Sequence, residues 1–331
     1  MRVLTPPVGL SEDTLAIALH REWKIDVATM AYRAVGFGSH HWEVLGSDGQ
    51  RWFAGVDELE LKRHTMGERF EVTLAHLTAS LGAACALQEA GCEFVVAPIR
   101  TGEGAPATQV GERFAAAVYP FADGESFSWG PFPSTEHRQA LLDMLVRVHT
   151  APARHHAERD DFGLPHRDTL ETGLSSPLAD VGPYSGRVND LLAANTDAVA
   201  GFLARYDRMV AAAQAQATSM VLTHGEPHPG NTMRTVDGWR LIDWDTALVA
   251  PCERDLWTLD PGDGSILAAY AQATGVTPRA ELLELYRLRW DLADIAVDVD
   301  RFARPHTGSA DDEKTFRILG DIINRNIGEI T

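Results

Sequence analysis

The segment HGEPHPGN, residues 224–231, is the strongest constraint on how this chain can fold. Pro227 and Pro229 lack the backbone N–H that a helix interior requires, and their rings clash with the preceding turn. No helix can therefore run through this segment, and we expect a polar loop. A polar turn without any chemistry is the alternative interpretation.

Three oxygen-bearing side chains lie in this loop and shortly after it. Glu226 and Asn231 belong to the loop, and Asp243 ends a short apolar strand in the sequence IDWD, twelve residues after Asn231. A small strand pair would hold these oxygens close together. Mg²⁺ prefers such ligands and completes its octahedron with water and phosphate oxygens. The pattern predicts a magnesium site, beside which a carboxylate can accept a hydroxyl proton.

A zinc site is the competing interpretation of the same loop. His224, Glu226 and His228 have the residue types of a zinc hydrolase. The HExxH arrangement, however, needs two histidines one helical turn apart, and the two prolines exclude a helix here. Zinc chemistry is therefore kept only as an alternative.

The chain predicts two lobes, because 331 residues exceed the length at which one core usually divides. We expect a sheet-containing lobe over 1–119, a hinge rich in Gly, Pro and Ser over 120–135, and a mainly helical lobe over 136–331. The expected strands of the first lobe are 25–35, 40–45, 51–56, 94–97 and 113–119. The expected helices of the whole chain include 11–23, 70–90 followed by Gly91, 136–149, 190–216 and 280–302.

Composition excludes several partners. The formal net charge of −18 disfavours nucleic acid and anionic membranes and attracts cationic small molecules. No run of about 18 apolar residues suggests a membrane span, and residues 1–10 lack a signal-peptide pattern, so we expect a cytoplasmic protein. Cys85, Cys92 and Cys252 are too scattered for a disulfide framework. The oligomeric state is left open.

Three segments carry a resemblance to a known family. HGEPHPGN, IDWD and APCERDLWTL, the last at residues 250–259, resemble conserved segments of aminoglycoside phosphotransferases and choline-kinase-like small-molecule kinases. The chain length and the sequence DWDTALVAP are most similar to those of spectinomycin-type phosphotransferases. The resemblance implies an α+β, protein-kinase-like two-lobe fold with an antiparallel-sheet N-lobe and a mainly helical C-lobe. It also implies a phosphotransferase with an alcohol group as acceptor.

The resemblance assigns roles within the two central motifs. Glu226 would be the catalytic base, and Asn231 and Asp243 would hold Mg²⁺ beside ATP or GTP. The family has Asp where this chain has Glu226, and the extra methylene moves the carboxylate by roughly 1 Å. We expect Glu226 to keep the role, because the charge and the proton affinity are preserved.

The resemblance also places the nucleotide against the N-lobe. Gly36 and Gly38, in the turn between the first two strands, would cover the phosphates, because glycine allows close approach of the backbone. Ser39 would donate a hydrogen bond there. Val118 and Tyr119 match the hinge whose backbone meets the adenine. An ordinary hairpin turn is the alternative for the glycines.

One expected charge is missing from the third strand. The family carries a lysine there that pairs with the nucleotide phosphates, and this chain has Gly55. Lys62 is the nearest lysine in the sequence and is the candidate replacement, while Arg63, or no basic residue at all, are the alternatives. The helix partner of that lysine is left open among Glu68, Glu71 and Glu89.

The long C-terminal helix carries a line of acidic residues. Asp291, Asp294 and Asp298 are spaced three and four apart and therefore share a face. They form either a solvated acidic face or an anionic wall for an amine-bearing substrate, with Trp290 and Tyr286 as an aromatic side of that pocket.

The combined expectation is transfer of the γ-phosphate of ATP or GTP to an aminoglycoside or aminocyclitol hydroxyl, with spectinomycin as the first candidate and antibiotic resistance as the outcome. A metabolic or biosynthetic kinase for an amino alcohol or a sugar is the main alternative. A non-catalytic nucleotide-binding protein is a third possibility, motivated by Gly55 and Glu226.

Overall fold

The computed structural model describes residues 5–36, 38–152, 157–216 and 218–328, with side chains up to residue 325. Phe37, inside the expected glycine turn, lies outside the described residues. The first elements are α1 (Glu12–Trp23), β1 (Val27–Arg33), β2 (Ser39–Gly46), β3 (Arg51–Glu58), α2 (Phe70–Glu89), β4 (Thr108–Val110) and β5 (Phe114–Pro120). The later elements are β6 (Glu125–Ser126), α3 (Thr135–Thr150), α4 (Arg167–Ser175), α5 (Ser185–Ala194), α6 (Thr196–Gln214), β7 (Met220–Thr223), a 3₁₀ turn (Pro229–Asn231), β8 (Thr232–Thr235), β9 (Gly238–Leu241), β10 (Leu248–Pro251), α7 (Glu253–Leu259), α8 (Ser265–Thr274), α9 (Ala280–Phe302) and α10 (Ala310–Gly328).

The first lobe is built on a five-stranded antiparallel sheet in the order β1-β2-β3-β5-β4. Gly49, with φ of +83°, lies in the turn between β2 and β3, where the left-handed conformation favours glycine. The Oγ of Ser11 caps α1 by accepting a backbone N–H at 3.1 Å. Leu15 and Leu19 of this helix share a buried cluster with Ala54 of β3, so α1 covers one face of the sheet. On the other face, Ala115 and Ala117 of β5 belong to the cluster around α2.

Helix α2 lies in a core that both lobes share. Its Leu77 and Leu81 belong to the same buried cluster as Leu141 of α3 and Leu241 of β9. Gly91, with φ of +90°, follows the helix as expected of a glycine that ends it. By length and mean hydropathy, α2 alone among the described helices could cross a membrane, and half of the relevant window is buried inside the fold.

The second lobe is organised around α9, which occupies the predicted span 280–302. Leu285, Leu292 and Val299 recur every seven residues on its buried side, and each is fully buried. They belong to a cluster that also contains residues of α4, α5, α6 and α10. A long, rigid helix therefore carries the acidic residues discussed below.

Short strands interrupt the helices and frame the loop 224–231. β7 pairs with β10, and β8 pairs with β9 in a hairpin. β6 pairs with the outer side of β8, with Glu125 opposite Arg234. The chain that leaves the N-terminal sheet is therefore fastened to the hairpin that follows the loop.

The predicted α+β architecture is confirmed, with two differences. Residues 94–97 are not a strand, because they make only one parallel bridge, from Val95 to Leu241, with the C-terminal hairpin. The expected helix 190–216 is two helices, α5 and α6, which meet at Asn195. Its side chain donates to the carbonyl of Leu191 at 2.8 Å, a local bond that competes with helix continuation. The lobe boundaries 1–119, 120–135 and 136–331 stay predictions.

Candidate active site

Residues 224–231 form the expected loop, between β7 and the 3₁₀ turn. His224 is fully buried, and both of its ring nitrogens are engaged. Nε2 bonds to the carbonyl of Ile242 at 2.9 Å, and Nδ1 accepts the N–H of Glu226 at 3.2 Å. His224 thus has no ring nitrogen left for a metal. With only His228 and Glu226 remaining, the zinc interpretation lacks the three protein ligands that it needs.

A buried carboxylate holds the start of this loop. Asp255 of α7 accepts the backbone N–H groups of His224 and Gly225 at 2.8 and 2.7 Å. It also bonds to His149 Nε2 at 3.0 Å, while His149 Nδ1 bonds to the Tyr270 hydroxyl at 2.9 Å. Burial opposes ionisation of Asp255, but the bond to His149 holds its pKa below the usual range. The carboxylate is therefore charged, and His149 has a structural place in the site.

Gly225 is confined by its neighbour in space, Arg254. The φ of Gly225 is +101°, and a Cβ built there would lie 2.5 Å from both terminal nitrogens of Arg254. Arg254 itself is fixed, since it donates to Thr223 Oγ1 at 2.9 Å and to the Thr246 carbonyl at 2.8 Å. Both the backbone conformation and the space require glycine at this position.

Glu226 and Asn231 are joined through the loop backbone. The Asn231 Nδ2 donates to the Glu226 carbonyl at 2.9 Å, so its Oδ1 is the amide atom that can bind a cation. The Ile242 N–H donates to the Asn231 carbonyl at 2.9 Å, which couples the loop to IDWD. Burial and the carboxylates of Asp245 and Asp294 raise the pKa of Glu226 to about 7.

The two acidic residues of IDWD crowd one another. Asp243 has a left-handed backbone, with φ of +67°, which is uncommon for a residue other than glycine. Burial and the carboxylates of Asp245 and Glu226 raise its pKa well above the usual range. Trp244, between the two acids, is fully buried and donates Nε1–H to the Leu241 carbonyl at 3.0 Å. The buried ring of Trp244 therefore anchors the IDWD segment to the core.

Lys62 reaches this acidic cluster from the turn after β3. Its ammonium contacts Asp245 and lies 3.2 Å from Asp57 Oδ1. Burial alone would lower the pKa of Lys62, but these carboxylates raise it well above the usual range. Among the described residues, the ion-pair partners of Lys62 are these two aspartates, and none of the helix glutamates Glu68, Glu71 and Glu89 pairs with it.

The glycine turn lies beside Lys62. A Cβ built on Gly38 would be 3.9 Å from Lys62 Nζ, and Gly36 and Gly38 have φ of +79° and +82°. Ser39 stands opposite Asp57 in the sheet, and its Oγ donates to Asp57 Oδ1 at 2.6 Å. The turn, the serine and the ammonium are therefore held together by Asp57, a residue to which the sequence assigned no role.

The side chains of the two expected hinge residues, Val118 and Tyr119, point to opposite faces of the sheet. Tyr119 stands opposite Phe53, and a Cβ on Gly55 would lie 3.5 Å from its ring, so Tyr119 occupies the face that the glycine leaves open. Val118 points the other way and is fully buried, and its carbonyl already accepts the Ile99 N–H at 2.7 Å. One of the two lone pairs of the Val118 carbonyl is therefore already used.

The three aspartates on the acidic face of α9 have different environments. Asp291 pairs with Arg325 at 2.6 Å. Burial, together with the neighbouring Asp298, raises the pKa of Asp294 to about 7, and burial raises that of Asp298 to about 7. The charge of Asp294 also contributes to the raised pKa of Glu226.

The aromatic residues near this face are placed differently from one another. Trp290 lies 5.6 Å from Trp257, measured between ring centroids, and is half-buried. Tyr286 is buried, and its hydroxyl donates to Asp160 at 2.9 Å, so it does not line an accessible pocket.

Three residues of this site were missed by the sequence analysis. Asp57 shares the β3 alternation with Gly55, Asp245 stands within IDWD, and Asp255 stands within the segment 250–259. The alternation and the two motifs were visible signals. What the sequence lacked was the spatial pairing of Asp57 and Asp245 with Lys62.

Comparisons with known proteins agree with this geometry. A family model described as a phosphotransferase enzyme family matches residues 34–296. Protein StrN of Streptomyces griseus is 31% identical over 291 aligned positions, and the match covers 83% of this chain and 83% of that protein. The crystal structure of spectinomycin phosphotransferase APH(9)-Ia with ADP and spectinomycin has a TM-score of 0.68 at 16% identity, covering 96% of this chain and 98% of that one. Choline kinase LicA from Streptococcus pneumoniae has a TM-score of 0.53 at 10% identity, covering 95% and 99%. The predicted two-lobe fold is thereby confirmed.

Replacement of Gly225 by alanine tests how tightly the loop is held. The left-handed backbone alone costs about 1–3 kcal/mol, and overlap with Arg254 adds to that cost in Gly225→Ala. Gly238→Ala is the matched control, because its φ is +113° and nothing lies within 4 Å of its Cβ. Urea denaturation should show a larger loss of unfolding free energy for Gly225→Ala. Equal losses of unfolding free energy in the two variants would show that Arg254 moves aside without destabilising the protein.

Proposed function

Because the chain belongs to the phosphotransferase enzyme family, we propose that it transfers the γ-phosphate of ATP or GTP, with Mg²⁺, to a hydroxyl of an aminoglycoside or aminocyclitol. Spectinomycin is the first acceptor to test, and its phosphorylation would confer resistance. The observation that carries the proposal is the ion pair of Lys62, from the first lobe, with Asp245 of IDWD, the segment that Asn231 joins to Glu226.

The donor set fits a magnesium ion. Asn231 Oδ1 and the Asp243 carboxylate are oxygen ligands of the kind that Mg²⁺ prefers. Asp243, Asp245 and Glu226 crowd their negative charges, and Lys62 contacts Asp245 but not the other two. A bound Mg²⁺ would neutralise charge on the phosphate oxygens, which is the chemistry that such an ion supplies.

The remaining steps fall to the residues of this chain. Glu226 orients the acceptor hydroxyl and takes its proton as the oxygen bonds to the γ-phosphorus and the nucleoside diphosphate leaves. Lys62 offers its ammonium to the phosphates at the place where the glycine turn approaches. Gly36 and Gly38 allow the backbone to come close to the nucleotide. Positioning and charge neutralisation supply most of the rate.

The acceptor side favours a cationic substrate. Asp294 and Asp298 are crowded carboxylates with a raised pKa, and an ammonium group would stabilise their charged forms. An amino alcohol satisfies the same chemistry, so a metabolic kinase of that class is the second candidate. The structural likeness to a choline kinase is consistent with it.

Nucleotide consumption with Mg²⁺, ATP or GTP and a panel of acceptors tests the proposal directly. The panel contains spectinomycin, other aminoglycosides, choline and homoserine. Turnover with an aminocyclitol or aminoglycoside supports the antibiotic assignment, and turnover with choline alone supports the amino-alcohol kinase. Nucleotide binding without turnover on any acceptor contradicts both and favours a nucleotide-binding protein.

Glu226→Gln should lower kcat by about 10²–10⁴-fold, because the amide cannot accept the hydroxyl proton. Nucleotide affinity, measured by calorimetry, should change little. Glu71→Gln is the control, since Glu71 is exposed at the start of α2. A variant that keeps wild-type kcat would remove Glu226 from the mechanism.

Lys62→Met should raise the KM for the nucleotide by about 10- to 100-fold, the effect of losing one charge-assisted hydrogen bond. Lys62→Arg keeps the charge and should recover part of the affinity. Lys24→Met is the control, because Lys24 caps α1 on the surface. If Lys62→Met and Lys24→Met behave alike, another group binds the phosphates.

The pH profile tests the coupling between Glu226 and Asp294. Glu226 must be deprotonated to act as a base, so kcat should rise with pH on the acidic limb. Asp294→Asn removes a negative charge that raises the pKa of Glu226, so the limb should move to lower pH. Asp291→Asn is the control on the same helix, because Asp291 is paired with Arg325. An unmoved limb in Asp294→Asn would contradict the coupling.

A further inference from the structure

We propose a second metal site, independent of the proposed function, in which His64, Glu68 and His76 bind Zn²⁺. The three residues lie in the turn after β3 and in the first turns of α2. They share no residue with the magnesium ligands Asn231 and Asp243.

The ligand atoms of this cluster already converge. One ring nitrogen of His64, one of His76 and a carboxylate oxygen of Glu68 all lie within 4.8 Å of one another. The His76 Nε2 is 3.3 Å from Glu68 Oε1. Neighbouring ligand atoms in a tetrahedral zinc site are separated by about 3.4 Å, given zinc–ligand bonds of about 2.0–2.1 Å. The two imidazole rings are stacked, with centroids 4.9 Å apart and planes inclined by 15°. Because stacked rings direct their lone pairs along nearly parallel planes, one ring, the exposed one of His64, must rotate before all three atoms bind one ion.

A second layer of hydrogen bonds orients two of the ligands. His76 bonds through Nδ1 to Glu158 Oε2 at 2.6 Å, which leaves Nε2 directed at the cluster. Glu68 Oε2 accepts the His64 N–H at 2.9 Å and the Thr73 hydroxyl at 3.0 Å, which leaves Oε1 for the ion. A carboxylate behind a ligating histidine, and hydrogen bonds behind a ligating carboxylate, are typical of zinc sites.

The access of solvent to the cluster suits zinc. His64 is exposed, and His76 keeps about a third of its side-chain surface. Two imidazoles and one carboxylate with a solvent-facing side form a three-ligand zinc site whose fourth position holds water.

The site would tie the turn that carries Lys62 to the helical lobe. The His64 carbonyl accepts the N–H of His166 at 2.7 Å, and the Glu158 carbonyl accepts the N–H of Val249 in β10 at 2.7 Å. A bound ion would link His64 and Glu68 to His76 of α2, whose ring already bonds to Glu158. Zinc should therefore also raise the melting temperature of the protein.

Calorimetric titration of Zn²⁺ into the full, tag-free chain, stripped of metal with chelator, tests the proposal. We expect one site, and at least a 10-fold loss of affinity in His64→Ala and in His76→Ala. Glu158→Gln should lose about 10- to 100-fold, because it removes the orienting carboxylate. His20→Ala is the control, as His20 is exposed and pairs with Asp26, far in sequence from the three ligands.

Two further measurements separate this site from the others. Asp243→Asn should retain the zinc site, which distinguishes it from metal binding in the cleft, so the result does not depend on the proposed function. Co²⁺ substituted for zinc should give visible absorption of a four-coordinate site, absent from His64→Ala. Circular dichroism checks that each variant is folded. Zinc affinity that is unchanged in folded His64→Ala and His76→Ala overturns the proposal, as does the absence of stoichiometric binding.

Discussion

The buried charge of Asp255 is the constraint on which the loop 224–231 depends. A carboxylate without water is tolerable only when donors surround it, and here two backbone N–H groups of the loop and His149 do so. The donors at His224 and Gly225 must point inwards, and this turns the following residue, Glu226, towards the cleft. Helix α7, thirty residues further along the chain, thus decides the direction of a side chain that it does not touch.

The acidic cluster around Lys62 has more negative than positive groups. Asp243, Asp245 and Glu226 come together with one ammonium, from Lys62, and the pKa directions show that Asp245 is charged while Asp243 resists ionisation. Such crowding costs stability in the free protein. It also prepares the site for cations, because any positive ion that enters removes repulsion already present. Under the proposed function, the binding of metal and of nucleotide phosphates would be electrostatically linked, since each would change the charge that the other meets.

Local patterns predicted the elements well where one periodicity dominated. The helix predicted over 280–302 is α9, and the loop predicted from Pro227 and Pro229 lies between β7 and the 3₁₀ turn. Prediction failed where long-range contacts decided the outcome. Residues 94–97 have the composition of a strand but pair with a distant hairpin. The same limit applied to the candidate site. The loop and IDWD were visible as local motifs, whereas the contact of Lys62 with Asp57 and Asp245 depends on how the two lobes are placed. No spacing in the sequence encodes that placement.

Because Lys62 lies on a turn and not on a strand, a different feature of the chain fixes the position of its ammonium. On a strand, a one-residue shift sends a side chain to the opposite face, so a charge carried there is protected by the register of the sheet. A charge on a turn is protected instead by chain length, here the four residues from the end of β3 at Glu58 to Lys62. Insertions between these points would displace the ammonium without disturbing any strand pairing. In this chain the length of a connection, rather than the identity of a strand residue, keeps the charge in place.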